Sequence, residues 1–145
     1  MHQDVGLKPM QPFKAIRNYG FKRLPETLKR NGIGCYNHKA KSFWELANSN
    51  LNLKTCLPSD LEEIHGIGLK TSRCFVLHSR RNARYAGLDT HLLKFLADKG
   101  YEVPKSTPAK KEYLRLEQIF VKLADEAGMS SADFDLMLWR KYSGR

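Results

Sequence analysis

The sequence predicts an all-α fold, and three observations carry that prediction. Strand signals, meaning short β-branched and aromatic runs of period two, are almost absent. Helix start and stop residues recur along the whole chain. Between them, apolar residues fall at three- and four-residue spacing. About seven short helices account for the pattern.

Pro25-Glu26 opens a first helix that stops before Asn31-Gly32. Asn37 is placed to cap a second, which carries Ala40, Phe43, Trp44 and Ala47 on one stripe. Pro58 to Ile64 reads as a short helix capped by Ser59, with Glu62 completing a capping box. Gly66 and Gly68 interrupt it, and a fourth helix runs from Leu69 to His78 with Cys74, Phe75 and Leu77 as apolar positions. Asp89 caps Thr90–Lys99, which Gly100 ends. Lys110–Ala127 shows an amphipathic stripe through Tyr113, Leu116, Ile119, Phe120 and Leu123. Gly128 ends it, and Ser130 caps the last helix through Tyr142. Residues 1–24 are expected to be partly extended, and the chain reads as one domain over residues 1–145.

Charge narrows the function. The 145 residues carry 25 Lys and Arg against 15 Asp and Glu, a net of +10. The excess is +6 over residues 1–50, +3 over 51–100 and +1 over 101–145. Such a field favours a polyanion, nucleic acid before anionic lipid. No apolar run approaches a membrane span and no signal pattern opens the chain, so a cytoplasmic, non-secreted monomer with no membrane partner is expected. Cys35, Cys56 and Cys74 are too scattered for zinc or an iron–sulfur cluster and read as small hydrophobes in a reducing interior. No cofactor is expected, and no side-chain metal site. A monovalent ion on backbone carbonyls of the Gly-x-Gly turn stays open as an alternative.

The most informative stretch is Leu61-Glu62-Glu63-Ile64-His65-Gly66-Ile67-Gly68-Leu69-Lys70-Thr71-Ser72. Two helices joined by Gly-x-Gly form a helix–hairpin–helix, spanning about residues 58–78. The glycines admit a phosphate close to the backbone. The second helix then aims unpaired N–H groups and its positive dipole end at that phosphate. Contacts of this kind hold a DNA strand without reading its sequence. His65, Gly66, Ile67, Gly68, Lys70, Thr71 and Arg73 are the candidate DNA-binding residues. The plain alternative is an ordinary tight helix corner.

Ile64 to Ser72, followed by Leu88-Asp89-Thr90-His91, resembles the signature of the helix–hairpin–helix (HhH-GPD) DNA glycosylase superfamily. Gly32-Ile33-Gly34-Cys35-Tyr36-Asn37-His38-Lys39-Ala40 is similar to the segment before the hairpin in endonuclease III. Phe134-Asp135-Leu136-Met137-Leu138-Trp139 resembles the C-terminal helix of small archaeal-type 8-oxoguanine glycosylases. The resemblance covers residues 28–144, with a front half short for the family, as in a divergent, phage-encoded member.

It implies a duplex DNA partner bearing a damaged or modified base, with Lys70 as nucleophile and Asp89 as the catalytic carboxylate. A neutral lysine amine attacks C1′ as the base departs, and the resulting Schiff base permits β-elimination. A carboxylate nearby stabilises the developing oxocarbenium charge. Arg73 is the nearby cation that would help keep the amine neutral. The plain alternatives are that Lys70 only holds a phosphate and that Asp89 only caps its helix. Tyr36, Asp135 and Trp139 are base-pocket candidates, although Tyr36, Trp44 and Trp139 also read as core and His91 as structural. Gln11, Phe13, Asn18 and Tyr19 are unassigned wedge or pocket candidates. The implied activity is a base-excision glycosylase with AP lyase activity. Two alternatives are an enzyme that hypermodifies phage DNA bases, transferring an amino acid or polyamine to activated 5-hydroxymethyluracil, and a non-catalytic structure-specific DNA-binding module.

Overall fold

Proline stands in the first turn of three helices, where its fixed φ suits the helix and its missing N–H costs no bond. The computed structural model describes residues 11–144. Its helices are α1 (Pro12–Tyr19), α2 (Leu24–Arg30), α3 (Tyr36–Asn48), α4 (Pro58–Leu61), α5 (Leu69–Ser79), α6 (Thr90–Asp98), α7 (Lys110–Glu126) and α8 (Ser131–Ser143). A 3-10 turn, Phe21–Arg23, precedes α2, and no strand occurs among the described residues. The all-α expectation therefore holds, with one helix more than the punctuation indicated. The extra one is α1; of residues 1–24, read as partly extended, Pro12–Tyr19 and Phe21–Arg23 are helical, and residues 1–10 lie outside the described ones. No side chain caps its start, and Pro12 alone marks it in the sequence. None of the helices among the described residues is long and apolar enough to cross a membrane.

The chain divides into two compact units, Met1–Ile67 and Gly68–Arg145. In the first, α1, α2 and α3 bury Ile16, Leu24, Leu28, Ala40 and Ala47, and Phe13, Tyr36, Phe43 and Trp44 pack against them. Arg17 donates to the carbonyl of Ala47 at 2.6 Å, tying α1 to the end of α3. Helix α3 starts one residue before the expected cap. Cys35 holds the N-cap position in the left-handed region at φ 52°, and it is exposed rather than a buried hydrophobe.

In the second unit, α6, α7 and α8 enclose Leu92, Phe95, Leu96, Tyr113, Leu116, Phe120, Phe134 and Leu138. Phe95 and Phe134 meet edge to face at 5.6 Å between centroids, an arrangement that aromatic quadrupoles favour. The Asp89 carboxylate accepts from the Leu92 N–H at 2.9 Å, and the Ser130 hydroxyl accepts from the Asp133 N–H at 3.1 Å. Both expected caps are thus in place. Gly100, at φ 92°, turns the chain out of α6 in a conformation that side chains resist.

Candidate active site and DNA hairpin

The first arm of the hairpin is shorter than its sequence indicated. Leu57 precedes α4, and its N–H is taken by the Asp60 carboxylate at 2.8 Å. Asp60 thus fills the role expected of Glu62, because Pro58 rather than Ser59 begins the helix. The turn then closes through Ile64 N–H on the Leu61 carbonyl at 3.0 Å and Ile67 N–H on the Ile64 carbonyl at 3.1 Å.

Helix α3 grips this turn. His38, Ser42 and Glu45 fall at helical spacing, so one face of α3 presents all three. The Glu45 carboxylate accepts the His65 N–H at 2.6 Å. The Ser42 hydroxyl donates to the His65 carbonyl. The His38 ring lies 15° from parallel to the His65 ring, with Nδ1 of the first 3.4 Å from Nε2 of the second. Gly66 sits at φ 80°, and a Cβ there would stand 2.6 Å from the Ser42 Oγ. Conformation and space both demand glycine at that position. Nothing in the motif itself pointed to His38, Ser42 or Glu45; the signal was their common helical face.

The second unit begins with α5. Gly68, Lys70 and Thr71 are exposed at its start. Lys70, Cys74 and His78 follow one another at four-residue steps along one face. The His78 Nε2 meets the Asp135 carboxylate at 2.9 Å, linking α5 to α8. Asp135 is 8% exposed. Burial pushes its carboxyl up; the His78 bond opposes this and the charge of Asp89 adds to it. Burial also pushes the Cys74 thiol up, with Asp135 and Asp89 adding to the rise and Lys70 opposing it. One half-buried thiol therefore lies within electrostatic reach of the lysine and of both carboxylates. The sequence reading took Cys74 for a small hydrophobe. Its spacing from Lys70 was the available signal.

Asp89 reaches this place on a braced loop. The Tyr113 hydroxyl accepts from the Leu88 N–H at 2.9 Å and donates to the Ala86 carbonyl at 2.5 Å. The Glu117 carboxylate accepts the Ala86 N–H at 3.0 Å and meets Arg73 Nε at 2.9 Å. The Arg73 guanidinium also lies 5.2 Å from the centre of the Tyr113 ring. Arg73 on α5, and Tyr113 with Glu117 one turn apart on α7, thus hold the backbone on either side of Gly87.

This corrects the expectation for Arg73. It is 6% exposed and its charge is met by Glu117, so it is neither a DNA-surface residue nor an uncompensated cation beside Lys70. Phe75 is likewise not core: it is 39% exposed, and α5 buries Ser72, Arg73, Val76 and Leu77 instead. Trp139, read both as core and as a base-pocket candidate, is 36% exposed on α8 and meets the half-buried His91 edge-on at 6.3 Å. Tyr36 packs on the core of the first unit with the Lys29 ammonium 5.6 Å from its ring centre. Among the wedge candidates, Tyr19 is buried, Phe13 packs on the first core, and Gln11 and Asn18 are exposed. Among the described residues no group of three or more His, Cys, Asp or Glu side chains is placed to hold a metal.

The Gly-x-Gly hairpin, the lysine opening the next helix and the aspartate capping the one after match the signature of the helix–hairpin–helix DNA glycosylases that the sequence resembles. The comparisons agree. The family model Ogg-HhH, described as 8-oxoguanine DNA glycosylase, matches residues 5–129. The chain belongs to this 8-oxoguanine DNA glycosylase family. It is 29% identical over 145 residues to the 8-oxoguanine DNA glycosylase/AP lyase of Methanocaldococcus jannaschii, a match covering 87% of this chain and 68% of that one. A Thermoplasma acidophilum protein of the same name is 33% identical over 133 residues, covering 83% and 62%. The crystal structure of Tm1821, the 8-oxoguanine DNA glycosylase of Thermotoga maritima, superposes with a TM-score of 0.72 at 28% identity, covering 99% of this chain and 70% of that one.

Proposed function

We propose that this chain is a base-excision DNA glycosylase with AP lyase activity, acting on duplex DNA through a lysine Schiff base. The single observation that carries the reading is that Lys70 and Asp89 stand in the same unit, both within electrostatic reach of Cys74. The relatives' names make 8-oxoguanine the first base to test.

In this reading the Lys70 amine gives its lone pair to C1′ and the base leaves with the electrons of the glycosidic bond. The amine loses its proton, the sugar ring opens, and an imine joins Lys70 to C1′. Removal of a C2′ proton then expels the 3′-phosphate, and water hydrolyses the imine to free the lysine. Asp89 offers a negative charge where the sugar becomes positive. Its backbone is braced on both sides of Gly87, so little reorganisation is needed when that charge develops. The hairpin supplies His65, Gly66 and Ile67, and the start of α5 supplies Gly68, Lys70 and Thr71, as contacts to DNA phosphates.

The test is borohydride trapping on an abasic-site duplex. The wild type should give a covalent protein–DNA adduct and Lys70→Ala none. Good DNA binding by the wild type without any adduct would sink the lyase. A panel of 8-oxoguanine, thymine glycol, dihydrouracil, uracil and hydroxymethyluracil duplexes then names the base.

A further inference from the structure

Of the two histidines that meet at the hairpin turn, His65 is already a phosphate contact in the reading above and His38 has no role there. His38 and His65 are solvent-accessible on at least one side, nearly parallel, and joined by a ring nitrogen contact of 3.4 Å. Such a contact requires one nitrogen to donate and the other to accept, so it holds when the pair carries at most one extra proton. A second proton would place two like charges against each other. A protonated imidazole attracts an anion, so a pair that shares one proton offers a phosphate a positive partner. The backbone beside it is rigid, since Ser42 and Glu45 hold the carbonyl and the N–H of His65.

We propose that His38 and His65 together form a proton-linked site for a DNA backbone phosphate, taking up a proton as the hairpin binds. The inference rests on the reading of the hairpin as a DNA-binding element and adds a residue of α3 to it. Glu45 is the charged group that meets the pair within this unit, through the His65 N–H. Lys39 and Lys41 follow His38 on α3, and Glu62 and Glu63 precede His65. The fixed positive charges of the chain favour the anion at any pH, and the histidine pair makes part of that attraction depend on protons. A phosphate beside the pair stabilises its protonated form, so binding consumes protons and affinity rises as pH falls.

The test is calorimetric titration of the full chain with a duplex carrying a tetrahydrofuran abasic analogue, which the lyase reaction leaves intact. Titrations at fixed salt in buffers of different ionisation enthalpy count the protons taken up. The wild type should take up a substantial fraction of one proton, up to about one, near neutral pH, with Kd tightening by up to about tenfold per pH unit between roughly pH 8 and 6. His38→Gln should bind nearly as well as the wild type at pH 8 but lose most of the uptake, and the His38→Gln/His65→Gln double variant should lose the rest. Uptake unchanged in His38→Gln overturns the proposal. Weakening by the same factor at every pH also overturns it, because that marks a purely structural contact. DNA binding by the wild type without uptake defeats this inference alone, whereas absence of DNA binding at every pH defeats the hairpin reading beneath it.

Discussion

The Cys74 thiol occupies the space that a side chain on Gly87 would need: a Cβ built there stands 2.2 Å from its sulfur. Gly87 lies two residues before Asp89, so its missing side chain lets the loop that carries the carboxylate press against α5. Gly87→Ala forces either the thiol to rotate or the loop to withdraw. The expected cost is about 1–3 kcal/mol, in the range for overpacking. Adding Cys74→Ala should recover most of it, which denaturant melts of the single and double variants will read. If the double variant is no more stable than Gly87→Ala, the sulfur is not what Gly87 accommodates.

The brace behind that loop should matter for both stability and adduct formation. Tyr113→Phe strands the buried Leu88 N–H and Ala86 carbonyl, and leaving a buried group unpaired costs about 1–3 kcal/mol. Glu117→Ala removes the partner of a buried guanidinium, a change worth about 3–5 kcal/mol. Under conditions where each variant remains folded, borohydride trapping should fall as well, since Asp89 loses its support. A Tyr113→Phe protein as stable as the wild type would show that water satisfies the two backbone groups.

These braces mark the limit of what the chain discloses by inspection. Caps are local, so Asp89 and Ser130 could be read directly from their neighbours. The hairpin could be read too, because two glycines at fixed spacing before Lys70 have few other uses. Helix α1 was passed over although Pro12 marks its start, because it is only eight residues long and no acidic first turn or capping side chain adds to that signal. Arg73 looked like a DNA contact because a basic residue three places after Lys70 reads as surface. Its burial depends on Glu117 and Tyr113, more than forty and about forty residues away along the chain. Trp139 read both as core and as a base-pocket candidate, and its exposure removes the first of these, since an aromatic in an apolar helix cannot be placed until the neighbouring helices are. Two kinds of feature were missed: cap registers off by two residues, at Asn37 and Ser59, and pairings distant in sequence, where burial follows from a partner that no local pattern names.

Asp89 holds two positions at once, helix cap and candidate catalytic carboxylate, and two substitutions separate them. Asparagine caps as well as aspartate, so Asp89→Asn should change stability by no more than about 0.5 kcal/mol. It removes the charge, and chemistry that depends on it should slow by roughly 100- to 10,000-fold. Asp89→Ala should slow the reaction similarly and also cost about 1 kcal/mol through the lost Leu92 N–H bond. Single-turnover trapping rates and thermal melts measure the two effects independently. Full activity in Asp89→Asn would reduce the residue to a cap.

Asp135 should leave its mark on stability as a function of pH. Burial holds its carboxyl above the usual range, against the opposing bond from His78 and with the nearby Asp89 charge adding to the rise. The folded protein therefore binds this proton more tightly than the unfolded chain does. The stability so gained is complete below the ordinary aspartate value of about 4 and is lost as pH climbs through the raised one. Measured as unfolding midpoints from about pH 3 to 7, the difference between wild type and Asp135→Asn should shift against the wild type as pH rises. His78→Gln should steepen that loss, because it removes the bond that favours the ionised carboxylate. Parallel curves for wild type and Asp135→Asn would mean that the His78 bond, rather than burial, sets the behaviour of this carboxyl.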